Sequence, residues 1–430
     1  MKSKPPSSPF EIRILKSKRE WGIFLIFCIL LLSLNLYRYF QHYQFYSQKN
    51  PYSFVAEVKL QYQKTKNNKT YFVLKLEDRW GHSFYTTSNL ELKTILYRDV
   101  RIYGKMAKCS FFEFLRSCYV QTYILALLPE NNYKTPLRNW IDSQHQDENS
   151  SVLYRALFIA DSVNLAWRNF SNATGIAHII AISGFHLGVL SFVLFLCLAP
   201  IYYFFQKRFF PYRNGYYDLS IVILFLMFLY LVLLEFQPSF FRAFLMALGG
   251  FFLYFSGLKI ISFGMLSAVS VAAIACFPSF VFNIGFILSV FGVFYILLFI
   301  KHIPKISWWK YALLFDVSIF LLMGPVVHFY FPYFSIYQFS SIFISMVFVI
   351  FFPFVVLLHI FGLGGLLDFI YVWALSFKIP YIEFLMPFWG FVIYVIASIL
   401  AIKYRQIFIL LLGFCILFYL ILSLRFFLIL

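Results

Sequence analysis

The sequence predicts a polytopic α-helical membrane protein of about 9–11 spans. An extracytoplasmic OB-like β-barrel is inserted after the first span. Three observations carry this prediction. Hydrophobic residues make up 61% of the 430 and charged residues 13%, whereas soluble domains average about 45–50% and about 25%. Apolar runs long enough to cross a bilayer recur from residue 176 to the end. One stretch, 41–151, breaks that pattern: it holds 15 of the 36 basic and 10 of the 18 acidic residues. An ordinary soluble enzyme and a disordered chain are both excluded, since neither tolerates this much apolar surface.

Residues 1–20 are basic, with Lys2, Lys4, Arg13, Lys16, Lys18 and Arg19 against Glu11 and Glu20, and read as a cytoplasmic N-terminus. Residues 21–40 read as the first transmembrane helix. The run is too long for a cleaved signal core, and Tyr37-Arg38-Tyr39 follows it instead of a small-residue cleavage site. Residues 41–130 form the barrel domain and 131–173 amphipathic connecting helices. Spans follow at 176–205, 218–236, 240–256, 260–277, 279–300, 311–331, 336–361, 388–402 and 407–428, with an amphipathic or re-entrant piece at 364–380. With the N-terminus inside, alternation places 41–151 outside. It places Lys207, Arg208, Arg213, Lys259, Lys301, Lys305 and Lys310 inside, as the positive-inside rule requires. Lys403 and Arg405 belong inside as well, depending on whether 364–380 crosses.

Within the insert, strands are expected at 53–61, 71–77, 83–87, 99–108 and 119–125, separated by turns at Lys66–Lys69 and Asp78–His82. Five short strands suit a small closed barrel. Aromatic and basic residues interleave there. Lys64, Lys66, Lys69, Lys75 and Trp80 are therefore candidate contacts to single-stranded DNA, which needs cations for phosphates and rings for bases. The plainer reading is a spacer barrel with a solvated Lys-rich hairpin. Cys28, Cys197, Cys276 and Cys415 fall in spans. Cys109 and Cys118 fall in the insert, where an oxidising compartment permits a bridge that geometry must decide.

No metalloprotease, P-loop or nucleophile-elbow motif occurs. The unusual run is His178 to Gly188, which sets two histidines and a Ser183-Gly184 break at the start of a span. Such irregularity at membrane depth is tolerated where it lines a cavity or is buried in protein. An unbroken helix would put His178 and His186 on roughly one face, but no third metal ligand accompanies them. Asp161, Arg242, Asn283, Asp316, His328 and His359 are further polar candidates in or near spans. Interfacial snorkelling is the plain alternative for Arg242.

The run from Thr174 and Gly175 through His178 to Ala181-Ile182-Ser183-Gly184-Phe185-His186 resembles the T-G-x-x-H-x-x-A-I-S-G-x-H signature of ComEC-type competence proteins. Pro238-Ser239-Phe240-Phe241-Arg242-Ala243-Phe244-Leu245-Met246 resembles that family's P-S-x-x-R-A-x-x-M segment. Gly285 to Ser289 resembles its G-F-x-L-S, and Asp161 stands where the family has the Asp of L-L-G-D-R. The order of segments agrees from about residue 50 to 360.

The resemblance implies a DNA-internalisation channel of the bacterial cytoplasmic membrane that admits one strand during natural transformation. Residues 174–430 would be its channel domain, and Asp161, His178, Ser183, Gly184, His186 and Arg242 would line the DNA path. Implied partners are single-stranded DNA, the lipid bilayer, a periplasmic DNA-receptor protein, cytoplasmic DNA-binding or ATPase proteins, and a second copy of the chain if two must associate. No cofactor, metal or catalytic role is implied. Ser162 replaces the family's Arg after Asp161, so no role of that Arg carries over. The metallo-β-lactamase-like tail of many members is not expected here.

Two other classes fit the composition. One is a membrane enzyme of lipid or glycan metabolism with His178, His186 and Asp161 as acid–base groups. The other is an envelope scaffold whose barrel docks a partner.

Overall fold

The computed structural model describes residues 18–66, 69–88, 95–129, 133–255, 262–304 and 306–429. It divides into two units. The first comprises 22–140 with 272–283, and the second comprises 141–271 with 284–430 and the short piece before residue 22.

Helix α1 (Lys18–Tyr46) is joined to the barrel by the short connection 47–51. Strands β1 (Tyr52–Lys66), β2 (Lys69–Asp78), β3 (Ser83–Ser88), β4 (Asp99–Met106) and β5 (Cys118–Leu127) close in the order β1-β2-β3-β5-β4. Only the β3–β5 pair is parallel. Period-two alternation explains the closure: Tyr52, Phe54, Ala56 and Val58 point inward and meet Leu74, Leu76, Phe84, Val100, Ile102 and Val120. A register shift between Val58 and Leu60 lets the long first strand bend between its two partners. The end of α1 completes this core, with Tyr46 fully buried and Tyr39 and Tyr43 packed against it. Asp78 anchors the plug by accepting from Tyr46 Oη at 2.7 Å and from the amides of Trp80 (2.9 Å) and His82 (2.8 Å). Helix α2 (Phe111–Phe114) lies between β4 and β5, capped by Ser110. It is framed by a disulfide between Cys109 and Cys118, whose Cα atoms are 6.0 Å apart.

Three short helices lead out of the barrel: α3 (Thr135–Asp142), α4 (Glu148–Ile159) and α5 (Leu165–Thr174). They are followed by α6 (Ala177–Ile180) and α7 (Gly184–Phe209). The remaining helices are α8 (Gly215–Leu233), α9 (Pro238–Phe255), α10 (Phe263–Cys276), α11 (Ile284–His302), α12 (Trp308–Tyr330), α13 (Ser340–Ile360), α14 (Asp368–Ser376), α15 (Phe388–Ala401) and α16 (Arg405–Ile429). A two-residue ladder joins β6 (Tyr333–Phe334) to β7 (Ile382–Glu383). Among the described residues, seven helical segments are long and apolar enough to cross a membrane, so the chain is a multi-pass membrane protein with an inserted five-stranded barrel.

Two expected spans come out short. The segments read as 260–277 and 388–402 form α10 and α15, of 14 residues each. That is about 21 Å of helix, against about 30 Å of hydrocarbon. The segment read as one span from 176 is interrupted: α6 ends at Ile180, and α7 begins only at Gly184. The helices of the second unit pack through Tyr295, Leu298, Leu322, Val326, Tyr394, Phe408, Leu411 and Cys415.

Candidate functional site

The break between α6 and α7 is built from local chemistry. Helix α5 ends on Gly175 in the left-handed conformation, φ +72°. A Cβ there would meet the Gln338 backbone at 3.3 Å, so both conformation and space select glycine. Gln338 fixes this corner from below, donating from Nε2 to Asn172 O (3.0 Å) and Tyr333 O (2.9 Å). His178 Nδ1 donates to Gly175 O at 2.8 Å, and the residue is otherwise exposed.

Ser183 then caps α7. Its Oγ accepts from Phe185 N at 3.3 Å, and its own amide donates to His186 Nδ1 at 3.2 Å. Because an N–H must donate, Nδ1 is the bare nitrogen, and the neutral ring carries its proton on Nε2. His186 is fully buried and sits edge-on to Phe348 (5.1 Å) and Phe352 (4.9 Å). Its Nε2 has no hydrogen-bond partner among the described residues. His178 and His186 share no hydrogen bond, because three non-helical residues separate their helices.

The start of α9 packs onto this break. Ser239 Oγ donates to Ile182 O at 2.7 Å, satisfying a carbonyl that the interrupted helix leaves open. A Cβ on Gly184 would lie 2.9 Å from Ala243 Cβ and 3.4 Å from Arg242 Nη2, so glycine permits the approach. Arg242 is 3% exposed. Its Nε and Nη2 donate to Ser289 Oγ on α11 at 3.0 and 2.7 Å, and Nη1 lies 3.1 Å from Met246 Sδ. No carboxylate is a partner of this guanidinium among the described residues. Snorkelling is thereby excluded for Arg242, since the head group points into protein.

The structure therefore brings together Ser183, Gly184, His186 and Arg242, and adds Ser239 and Ser289. Only the recurrence of serine within the three motif segments signalled those two in the sequence. His178 lies at the edge of the cluster. Asp161 is buried just beyond Ala160, which ends α4 at φ +61°, and is not a partner of Arg242.

In the barrel unit Lys64 is exposed, Lys75 is half-buried and Trp80 is 56% exposed. Lys64 pairs with Tyr71 at one end of β2, whereas Trp80 follows its other end, so these residues are strung along the hairpin. The side chains of Lys66 and Lys69 lie outside the described ones. His82 is buried, 2.7 Å from His42, with its Nδ1 unpartnered among the described residues. Burial first, and the neighbouring His42 second, push its pKa down to about 3. The Asp78 carboxyl is raised by burial, against the opposing effect of its three hydrogen bonds.

Seven helical segments able to cross a membrane and a closed five-stranded barrel near the N-terminus define a multi-pass membrane protein with an inserted β-domain. The family model described as Competence protein matches residues 161–427, and the chain belongs to that family. No curated protein and no solved structure matches it.

Proposed function

We propose that the chain forms the passage by which single-stranded DNA crosses the bacterial cytoplasmic membrane during natural transformation. Its N-terminus would be cytoplasmic and its barrel outside. The observation that carries this reading is Arg242, a buried cation with no carboxylate partner among the described residues, held where the three motif segments meet. Burying an ion costs several kcal/mol unless it is paired. A passing phosphodiester supplies the missing charge, and serine hydroxyls and a neutral imidazole supply weak, exchangeable contacts beside it. A periplasmic receptor would deliver the strand to the barrel, where Lys64, Lys66, Lys69, Lys75 and Trp80 would meet it. A cytoplasmic ATPase or DNA-binding protein would draw it in. Assembly from two chains is compatible with this reading.

The test follows labelled DNA in a deletion strain and in an Arg242→Met strain, with electroporated DNA as control. Periplasmic uptake and electroporation should persist, while entry into the cytoplasm falls at least tenfold. Undiminished transformation in the deletion strain would overturn the reading and leave the scaffold or the lipid enzyme. The enzyme reading lacks support here, because His178 Nδ1 and His186 Nδ1 are taken up by Gly175 O and Ser183 N and not by each other.

A further inference from the structure

A second polar cluster lies away from the motif segments, within the 141–271 and 284–430 unit. His145 Nδ1 is 2.8 Å from Asp368 Oδ1, and His145 Nε2 is 3.1 Å from His359 Nε2. His359 Nδ1 is in turn 2.7 Å from Val355 O. The His145 side chain is fully buried and the Asp368 side chain is 14% exposed.

Gly364 and Gly365 bring the turn after α13 against this cluster. A Cβ on Gly364 would meet His359 Nε2 and Gln144 Oε1 at 2.8 Å, and one on Gly365 would meet Gln144 O at 2.5 Å. Gln144 bridges the same two segments, donating from Nε2 to His359 O (3.2 Å) and accepting from Gly364 N (3.0 Å). The other titratable groups facing it are Tyr154 of α4, stacked on His145 at 4.7 Å, and Tyr371 of α14, whose hydroxyl is 2.8 Å from that of Tyr154. The charged pair on the flanking elements, Asp142 and Arg155, is joined at 3.1 Å.

Donor–acceptor logic fixes the proton count. A carbonyl only accepts, so His359 Nδ1 carries a hydrogen and its Nε2 is bare in the neutral ring. The contact at Nε2 then needs a hydrogen on His145 Nε2. At the other end, either His145 is an imidazolium on a carboxylate, or Asp368 is protonated and donates to a neutral ring. Both descriptions contain one proton more than two neutral histidines and a carboxylate. Removing it leaves two lone pairs facing each other at one contact or the other. Adding a second, on His359, sets two N–H groups head to head.

We infer that Asp368, His145 and His359 form a buried site for a single solvent proton, which clasps residues 144–146 to the α13–α14 turn while it is bound. This inference stands whether or not the chain conducts DNA.

The test is amide hydrogen exchange on the full-length protein in lipid nanodiscs, corrected for intrinsic rates, at roughly pH 6.5 and pH 9. The amides of Gln146 and Gly364, which bond to Asp368 Oδ2 and Gln144 Oε1, should lose at least tenfold protection at the higher pH. Asp368→Asn should hold its protection within twofold, because the amide N–H donates to His145 Nδ1 as the protonated acid does. His145→Phe, which keeps a ring against Tyr154, should be unprotected at both pH values. Wild-type protection that does not change with pH, or an Asp368→Asn profile parallel to the wild type, would overturn the inference whatever the His145 variant does.

Discussion

Ser183 and Gly175 show how single residues set the break at which the motif segments meet. Gly175→Ala meets both a left-handed backbone and a neighbouring backbone at 3.3 Å. A cost of about 1–2 kcal/mol is expected from the conformation alone, read as a lowered melting temperature in detergent. Ser239→Ala strips the donor from Ile182 O and should cost about 1–3 kcal/mol, as unpaired buried carbonyls do. In the barrel, His82 adds a pH dependence. Its folded pKa of about 3 lies below the ordinary value of 6.5, so folding holds the neutral ring. Its contribution is complete above pH 6.5 and is lost as the pH falls from there toward 3. Limited proteolysis of the full chain should cut within 71–88 faster as the pH drops through that window, and His82→Gln should flatten the response. An unchanged slope in that variant would refute the assignment. Nothing in the local pattern around His82 signals this group, since its partner His42 belongs to another element.

At the scale of elements, strand alternation was the most legible feature, because a half-buried strand writes its faces into every second residue. Strands expected at 53–61, 71–77, 83–87, 99–108 and 119–125 are found at 52–66, 69–78, 83–88, 99–106 and 118–127. Apolar helices carry no such record in lipid, where all faces are greasy, so their ends and depth stay hidden. Alternation places residue 145 outside and the end of the 336–361 span inside. A contact of 3.1 Å between His145 and His359 contradicts this, since about 30 Å of hydrocarbon separates the two faces. Cysteines placed at Gln146 and Leu363, in a background without the free cysteines, should react with an impermeant thiol reagent from the same side. Labelling from opposite sides would restore the simple crossing. Of the clasp itself only His359 stood out in the sequence. His145 and Asp368 are 223 positions apart and sit in polar stretches, where such residues draw no notice.

For the whole molecule the question is what the net charge of +18 is for. A polyanionic partner is one answer and orientation in the membrane is the other. Lys301 Nζ donates to Ile402 O at 2.6 Å, and His302 Nε2 to Ala401 O at 2.7 Å. The α11–α12 connection and the α15–α16 turn are therefore neighbours, so Lys301, Lys310, Lys403 and Arg405 gather at one end of the helices. Cations collected from segments a hundred residues apart onto one end are what the positive-inside rule demands. The buried Arg242, by contrast, is bonded inside the protein to Ser289. The two sets should respond differently. Reporter fusions truncated after Ile306 and Tyr404 should report the same side of the membrane as each other, and a fusion within the barrel should show only extracytoplasmic phosphatase activity. Neutralising Lys301, Lys310, Lys403 and Arg405 together should disturb this pattern. Arg242→Met should leave it intact while abolishing DNA entry. If Arg242→Met also inverted the reporters, its charge would be one more orientation signal and the DNA-passage reading would lose its main support.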